Sequence, residues 1–359
     1  MDFINDKYIV FIACLSAFVI TYASIPSIVR VSHMKSLVDE PNDRKLHSKA
    51  VPTLGGLAIF AGITISSLLF IDSSVFPQIN YIIAAIIVLF FVGIKDDILV
   101  IAPTTKLIGQ IVAGAVIIIF TDIRLTHLHG FFGIEEIPEY VSFVLTLFVM
   151  VVIINSVNLV DGIDGLASGV GIVVASFYGI WFFLTKHYPE ATLSFTVIGA
   201  MLAFWRFNLF SVREKIFMGD TGALVLGLVL SVLTIRFNEY NIEHGFAYAK
   251  WGAPAVSVAL LIIPLFDTIR VMFIRFFLRR PIFKPDNRHI HHLFLKLGLS
   301  SGRSLFLILL INGLFASALF LWHNVFGIRT WFLIIVIAAM LIFYIPVLII
   351  RIKKHSKNA

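Results

Sequence analysis

The sequence predicts an all-α polytopic integral membrane protein, and three observations lead there. Of 359 residues, 59% are hydrophobic and only 14% charged, with a mean hydropathy of +0.97, a composition foreign to soluble globular domains of this length. Apolar runs near the ~20 residues that cross a bilayer as a helix recur along the whole chain. These runs are continuous and do not alternate apolar with polar, which selects helices over a barrel.

Eleven spans are read in order, roughly at 8–30, 53–71, 80–95, 104–121, 141–157, 166–185, 192–208, 221–236, 253–277, 304–323 and 331–350. The first is preceded by Met1-Asp2-Phe3-Ile4-Asn5-Asp6-Lys7, which lacks a basic n-region, so a membrane helix is expected there and not a cleaved signal. Cys14, the single cysteine, lies within it and excludes an intramolecular disulfide or a cysteine-rich metal site. The ninth span is longer than a bilayer needs and contains Pro264, which interrupts the backbone ladder, so a helix broken near Pro264 is expected. An odd number of spans puts the two ends on opposite sides. Connections 31–52, 96–103, 158–165, 209–220, 278–303 and the tail, with their flanking helix ends, carry 22 of the 28 lysines and arginines. The positive-inside rule places that side in the cytoplasm, the amino terminus outside and the carboxyl terminus inside.

The functional candidates gather on the same side, in loops at about 31–52, 95–106, 158–165, 206–222 and 278–303. The first holds Asp39, Arg44, Lys45 and His47, then Thr53, Gly55 and Gly56. The second has Lys95-Asp96-Asp97 and Lys106; the third runs Asn158-Leu-Val-Asp161-Gly-Ile-Asp164-Gly165. The fourth contains Phe217-Met-Gly-Asp220, and the fifth follows Asp267 and Arg270 through Arg280 to Arg288-His289-Ile-His291-His292. Each has a plain alternative. Asp96-Asp97 reads as a solvated helix end, Asp161 and Asp164 as Asp-Gly turns, Gly219-Asp220 as an N-cap, and the histidines as surface residues. The alternatives weaken jointly, because five loops bring carboxylates, basic groups, glycines and histidines to one membrane face. Hard carboxylate oxygens suit magnesium, lysine and arginine suit phosphate oxygens, and glycine lets a backbone approach a phosphate. That is an inventory for phosphoryl transfer. The competing class, an ion-coupled transporter, fits composition and Asp267. It would place its acids near the midplane, commonly with repeat symmetry, and no convincing repeat is found.

These motifs, in this order from about Asp39 to Gly298, resemble the bacterial polyprenyl-phosphate N-acetylhexosamine-1-phosphate transferases of glycosyltransferase family 4. Lys95-Asp96-Asp97 looks like the family's lysine-flanked aspartate pair. Asn158–Gly165 is similar to its Asn-Leu-x-Asp-Gly-x-Asp-Gly, and Phe217–Asp220 to its Phe-Met-Gly-Asp. Asp39-x-Pro41-x-x-Arg44-Lys45-x-His47 and Pro285-Asp-Asn-Arg288-His-Ile-His-His292 resemble the undecaprenyl-phosphate GlcNAc-1-phosphate transferase branch. The sister branch, which transfers phospho-MurNAc-pentapeptide, usually has three consecutive histidines and ten spans. Thr221-Gly222-Ala223 and Ser156 depart from common family residues, small for small.

The resemblance implies one transmembrane transferase domain over 1–359 in the bacterial cytoplasmic (inner) membrane. It implies transfer of GlcNAc-1-phosphate from UDP-GlcNAc to undecaprenyl phosphate, yielding UMP, as the first membrane step of O-antigen, common-antigen or teichoic-acid synthesis. Another UDP-N-acetylhexosamine or phospho-MurNAc-pentapeptide is the alternative donor. The cofactor it implies is Mg2+, with Mn2+ as a substitute; the bilayer is a partner, nucleic acid is not, and a homodimer is allowed. Asp220 is the expected metal ligand, with Asp97. Asp96, Asp97, Asp161, Asp164, His289, His291 and His292 are the expected catalytic set. Arg44, Lys45, His47, Thr53, Gly55, Gly56, Lys106, Asn158, Phe217, Asp267, Arg280 and Arg288 are expected to bind substrate, Phe217 by stacking on uracil. The acceptor phosphate is largely a dianion near neutral pH, with a second pKa of ~6, so direct attack is favoured over an aspartyl-phosphate route.

Overall fold

A computed structural model of the chain describes residues 6–39, 50–242, 252–277, 279, 289–322 and 325–358. It is built from helices: α1 (Asp6–Met34), α2 (Gly55–Phe70), α3 (Gln78–Leu99), α4 (Pro103–Thr121), α5 (Glu139–Val160), α6 (Leu166–Leu184), α7 (Tyr188–Asn208), α8 (Gly219–Tyr240), α9 (Ala253–Leu260), α10 (Ile262–Phe277), α11 (Ile290–Lys296), α12 (Ser301–Trp322) and α13 (Ile328–Asn358). Two short strands, β1 (Val38–Asp39) and β2 (Val51–Pro52), pair antiparallel with Val38 opposite Pro52. By length and composition α1, α4, α5, α6, α8, α12 and residues 328–352 of α13 are able to cross a membrane, seven in all, and α9 with α10 makes an eighth when taken as one span. The all-α polytopic architecture is therefore as the sequence predicts. Reaching eleven requires α2, α3 and α7 to cross as well, and each stands where a span is expected.

Helix α8 is the axis of the molecule. In its most apolar stretch 89% is buried, against 22% in that of α13, which presents its side chains outward. Glycines let its neighbours approach closely. A Cβ added at Gly56 of α2 would lie 2.2 Å from the Gly222 nitrogen, and one at Gly93 of α3 would lie 2.4 Å from the Thr221 Cα. Small residues at helix crossings give backbones this proximity in a bilayer, where apolar association alone is weak. Consequently α2 and α3 both cross α8 at its first turn, and that crossing sets where the Asp220 segment can sit.

The expected break occurs, three residues before Pro264. α9 and α10 meet at Leu261 with a bend of 74°. Pro264 has no N–H to donate to the carbonyl four residues back, that of Leu260. Asn312 of α12 supplies the missing donor: its Nδ2 lies 3.1 Å from the Leu260 oxygen. The displacement of the break from the proline follows from the acceptor, not the proline, being the orphaned group.

Candidate active site

The Phe217–Asp220 segment is laced to the start of α2. Phe217 N–H donates to Pro52 O (2.8 Å), Gly55 N–H to Phe217 O (2.9 Å), and Gly56 N–H to Met218 O (2.8 Å). Gly219 takes φ = +70°, a left-handed conformation natural to glycine; a Cβ there would lie 2.2 Å from Thr53 O and 2.7 Å from an Asp97 carboxylate oxygen. Thr53, Gly55 and Gly56 thus hold the aspartate loop, and the two glycine N–H groups face its carbonyls in place of an open cleft.

Asp97, near the end of α3, caps α8 from outside the helix. Its Oδ1 accepts from Asp220 N–H at 2.7 Å, and its Oδ2 accepts from Thr221 N–H at 3.1 Å and the Thr221 hydroxyl at 2.5 Å. The first N–H groups of a helix lack intrahelical partners and carry its positive pole, so a carboxylate there is doubly favourable. The Asp220 side chain then faces Lys106 of α4 and Asn158 of α5, both of which donate to its Oδ1, at 2.5 and 2.6 Å. Lys106 Nζ also lies 2.5 Å from Asp96 Oδ2, bridging two carboxylates. Asp96 is nearly buried and accepts from Ile101 N–H through its other oxygen (2.7 Å). Five predicted residues from α3, α4, α5 and α8 therefore form one connected network.

Asp161 and Asp164 lie in the turn between α5 and α6. Asp164 pairs with Lys215 at 2.5 Å, and the Lys215 ammonium stands 5.8 Å from the centre of the Phe217 ring. Asn208 ties this turn down, accepting from Gly165 N–H (2.6 Å) and donating to Ile216 O (2.8 Å), while Trp205 Nε1 donates to Gly165 O (3.2 Å). Asp161 remains solvent-accessible at the mouth of the turn. Surrounding protein that thins its hydration, then the charges of Asp220, Asp164 and Asp97, push its carboxyl up to about 7.

The histidine segment forms a second network. Asp267 of α10 is fully buried; its Oδ2 lies 2.9 Å from His289 Nδ1, and its Oδ1 accepts from Ile290 N–H (3.1 Å) and Arg270 (3.2 Å). An ionised carboxylate only accepts, so Nδ1 is assigned the hydrogen. Asp267 thus orients His289 and, being fully buried, offers no surface to a substrate, contrary to the expectation that it binds one. His292 is half-buried on α11, and α10 packs on α5, the helix that carries Asn158. Arg44, Lys45, His47, Arg280, Arg288 and the His291 side chain lie outside the described residues.

Among the described residues no group of three or more His, Cys, Asp or Glu side chains is arranged to hold a metal ion. Magnesium does not need one: it commonly takes one or two protein carboxylates and completes its octahedron with water and substrate phosphates. Asp220, with its side chain 32% exposed, and the accessible Asp161 fit that manner of binding. Asp97 has both oxygens engaged by α8. Sequence reasoning had left out Lys215 and Asn208 as site residues; the cue available was their flanking of the Phe217–Asp220 motif.

A helical membrane protein that converges a lysine and carboxylates on the first turn of its central helix, with the Phe217 ring just before it, has the makings of a phosphoryl-transfer site. Residues 79–238 match the family described as Glycosyl transferase family 4. A Bacillus subtilis protein named "Probable undecaprenyl-phosphate N-acetylglucosaminyl 1-phosphate transferase" is 29% identical over 339 residues, 92% of this chain and 88% of its own length. An Escherichia coli protein named undecaprenyl-phosphate alpha-N-acetylglucosaminyl 1-phosphate transferase is 29% identical over 291 residues, 80% of this chain and 77% of its own. A Salmonella typhi protein of the same name is 28% identical over 306 residues, covering 84% and 81%. None of these three relatives is named as a transporter.

Proposed function

We propose that this chain transfers GlcNAc-1-phosphate from UDP-GlcNAc to undecaprenyl phosphate, giving undecaprenyl-diphosphate-GlcNAc and UMP. The observation that carries the proposal is similarity to proteins of that name along most of both chains. In the reaction an oxygen of the lipid phosphate bonds to the donor's β-phosphorus, and the bond from that phosphorus to the bridging oxygen breaks, releasing UMP. Lys106 relieves repulsion between the anions, Asn158 and Asp97 hold Asp220 in place, and Phe217 with Lys215 and Asp164 receives the nucleotide. Both Asp97 oxygens being engaged favours direct attack over an aspartyl-phosphate on that residue. Asp220 and Asp161 would hold magnesium, which supplies charge neutralisation on the diphosphate when bound. His289, oriented by Asp267, and the neighbouring histidines and arginines would meet the donor diphosphate.

In the same proposal the site faces the cytoplasm, eleven spans cross the inner membrane, and the amino terminus is outside. The lipid tail lies beside the α9–α10 break. Further along α10, Ile269, Met272, Phe273, Phe276 and Phe277 present an exposed apolar face suited to polyisoprenoid. The test is purified protein with magnesium, labelled UDP-GlcNAc and undecaprenyl phosphate. Labelled lipid and UMP are expected; absence of both overturns the assignment, and a panel of UDP-sugars resolves the donor.

A further inference from the structure

Inside the membrane layer, α4 and α5 meet through a reciprocal amide pair. Gln110 Nε2 donates to Asn155 Oδ1 (3.2 Å), and Asn155 Nδ2 donates back to Gln110 Oε1 (2.7 Å). Gln110 is fully buried, and Asn155 Nδ2 is further anchored on its own helix by Val151 O at 2.8 Å. Each residue shares a helix face with a member of the acidic network. Lys106 lies four residues before Gln110, and Asn158 three residues after Asn155, the spacings that bring side chains to one face. At a rise of 1.5 Å per residue these stand about 6 and about 4.5 Å along their helices, both towards the Asp220 end. There Lys106 and Asn158 converge on the same atom, Asp220 Oδ1.

We infer that Gln110 and Asn155 are positioning residues for the transfer reaction: their pairing sets the height of α4 against α5, so that Lys106 and Asn158 meet at one oxygen of Asp220. Apolar contacts in a bilayer leave helices free to slide by small steps, because hydrocarbon is as favourable a neighbour as leucine. A two-bond amide pair closes in one register only. A slip of one turn would strip Gln110 of both bonds to Asn155 and leave Asn155 only its bond to Val151 O on its own helix, in an interior where polar groups need partners. Elsewhere in the α4–α5 contact Leu147 fills the notch at Gly114, where a Cβ would lie 2.7 Å from Leu147 Cδ1, an apolar fit that brings the helices close and carries no hydrogen bond.

This inference rests on the proposed activity for one of its readouts and is independent of it for the other. Asn155→Leu is expected to lower kcat by about 10-fold or more through misplaced catalytic groups, with KM for both substrates nearly unchanged. In a Lys106→Met background the same change should cost clearly less than it does in wild type, since part of its effect runs through Lys106. Exchanging the pair, Gln110→Asn with Asn155→Gln, keeps both amides and should restore most of the rate even if a single variant folds poorly. The second readout is acylation of Lys106 by an amine reagent, followed by mass spectrometry, which should rise several-fold in Asn155→Leu while other lysines are unaffected. Unchanged Lys106 labelling with a wild-type rate overturns the inference, as does a rate loss that adds fully to that of Lys106→Met. A wild-type protein without transfer activity overturns the proposed function instead, and the labelling still decides the role of the pair.

Discussion

Asp97→Asn separates positioning from direct chemistry at the head of α8. The carboxylate accepts from Asp220 N–H, Thr221 N–H and the Thr221 hydroxyl. Asparagine keeps one acceptor oxygen and turns the other into a donor. The Thr221 hydroxyl can rotate to accept from that new donor, but one of the two backbone N–H groups loses its partner. An unsatisfied buried donor costs about 1–3 kcal/mol, and removing the negative charge from the helix N-terminus adds about 0.3–1 kcal/mol. The total of about 1.5–4 kcal/mol, where it must be regained to seat Asp220 in the transition state, is a fall in kcat of about 10- to 1000-fold. It should be accompanied by a lower melting midpoint in detergent. UMP release and a thermal melt measure the two. Lost activity with an unchanged midpoint would refute positioning and make Asp97 act directly on substrate; full activity would refute both roles.

Three further outcomes are expected. Asp161, held protonated up to about 7, should impose a rise in rate as pH increases through that value, and Asp161→Asn should lack the limb. The folded state holds the Asp161 proton where the unfolded chain has lost it, so wild type loses stability as pH rises from about 4 to about 7 and the loss levels off above that; the melting midpoint of Asp161→Asn relative to wild type should improve across that window, and the opposite trend would contradict the environment described. Asp267→Asn should lower kcat more than KM, because asparagine cannot accept from His289, Ile290 and Arg270 together, and an unaltered rate would detach His289 from the reaction. Gly56→Ala places a Cβ 2.2 Å from the Gly222 nitrogen and should reduce the yield of folded protein; a variant that melts like wild type would show that the α2–α8 crossing has slack.

The parts legible in the sequence were those where a residue is conspicuous by type. Charged residues between apolar runs marked the loops, and Asp96, Asp97, Lys106, Asn158 and Asp220 do form one network. Pairings between distant residues were not legible. Asp97 and Asp220 are 123 positions apart, and nothing local says that one caps the helix bearing the other. Asp267 looked like a substrate ligand because a buried acid beside an arginine is unusual in a membrane; its occupation by His289 depends on how α10 and α11 fold together. Gly55 and Gly56 read as a phosphate cradle for a similar reason. In the fold their N–H groups bond the protein's own backbone, at the Phe217 and Met218 carbonyls.

The bend between α9 and α10 is held partly by a single side chain on another helix, Asn312 at the Leu260 carbonyl. Interhelical hydrogen bonds in membranes average about 0.6 kcal/mol, comparable to thermal energy. The bond fixes the last residue of α9 to α12, while α10 beyond the break is held by its own packing on α5 and α13. A side chain on α12 thus helps to set the direction in which α10 leaves the break, while the aspartates around α8 are clamped by bonds of their own. One junction therefore depends on a neighbour chosen by the fold, and the carboxylate cluster on partners drawn from three other helices.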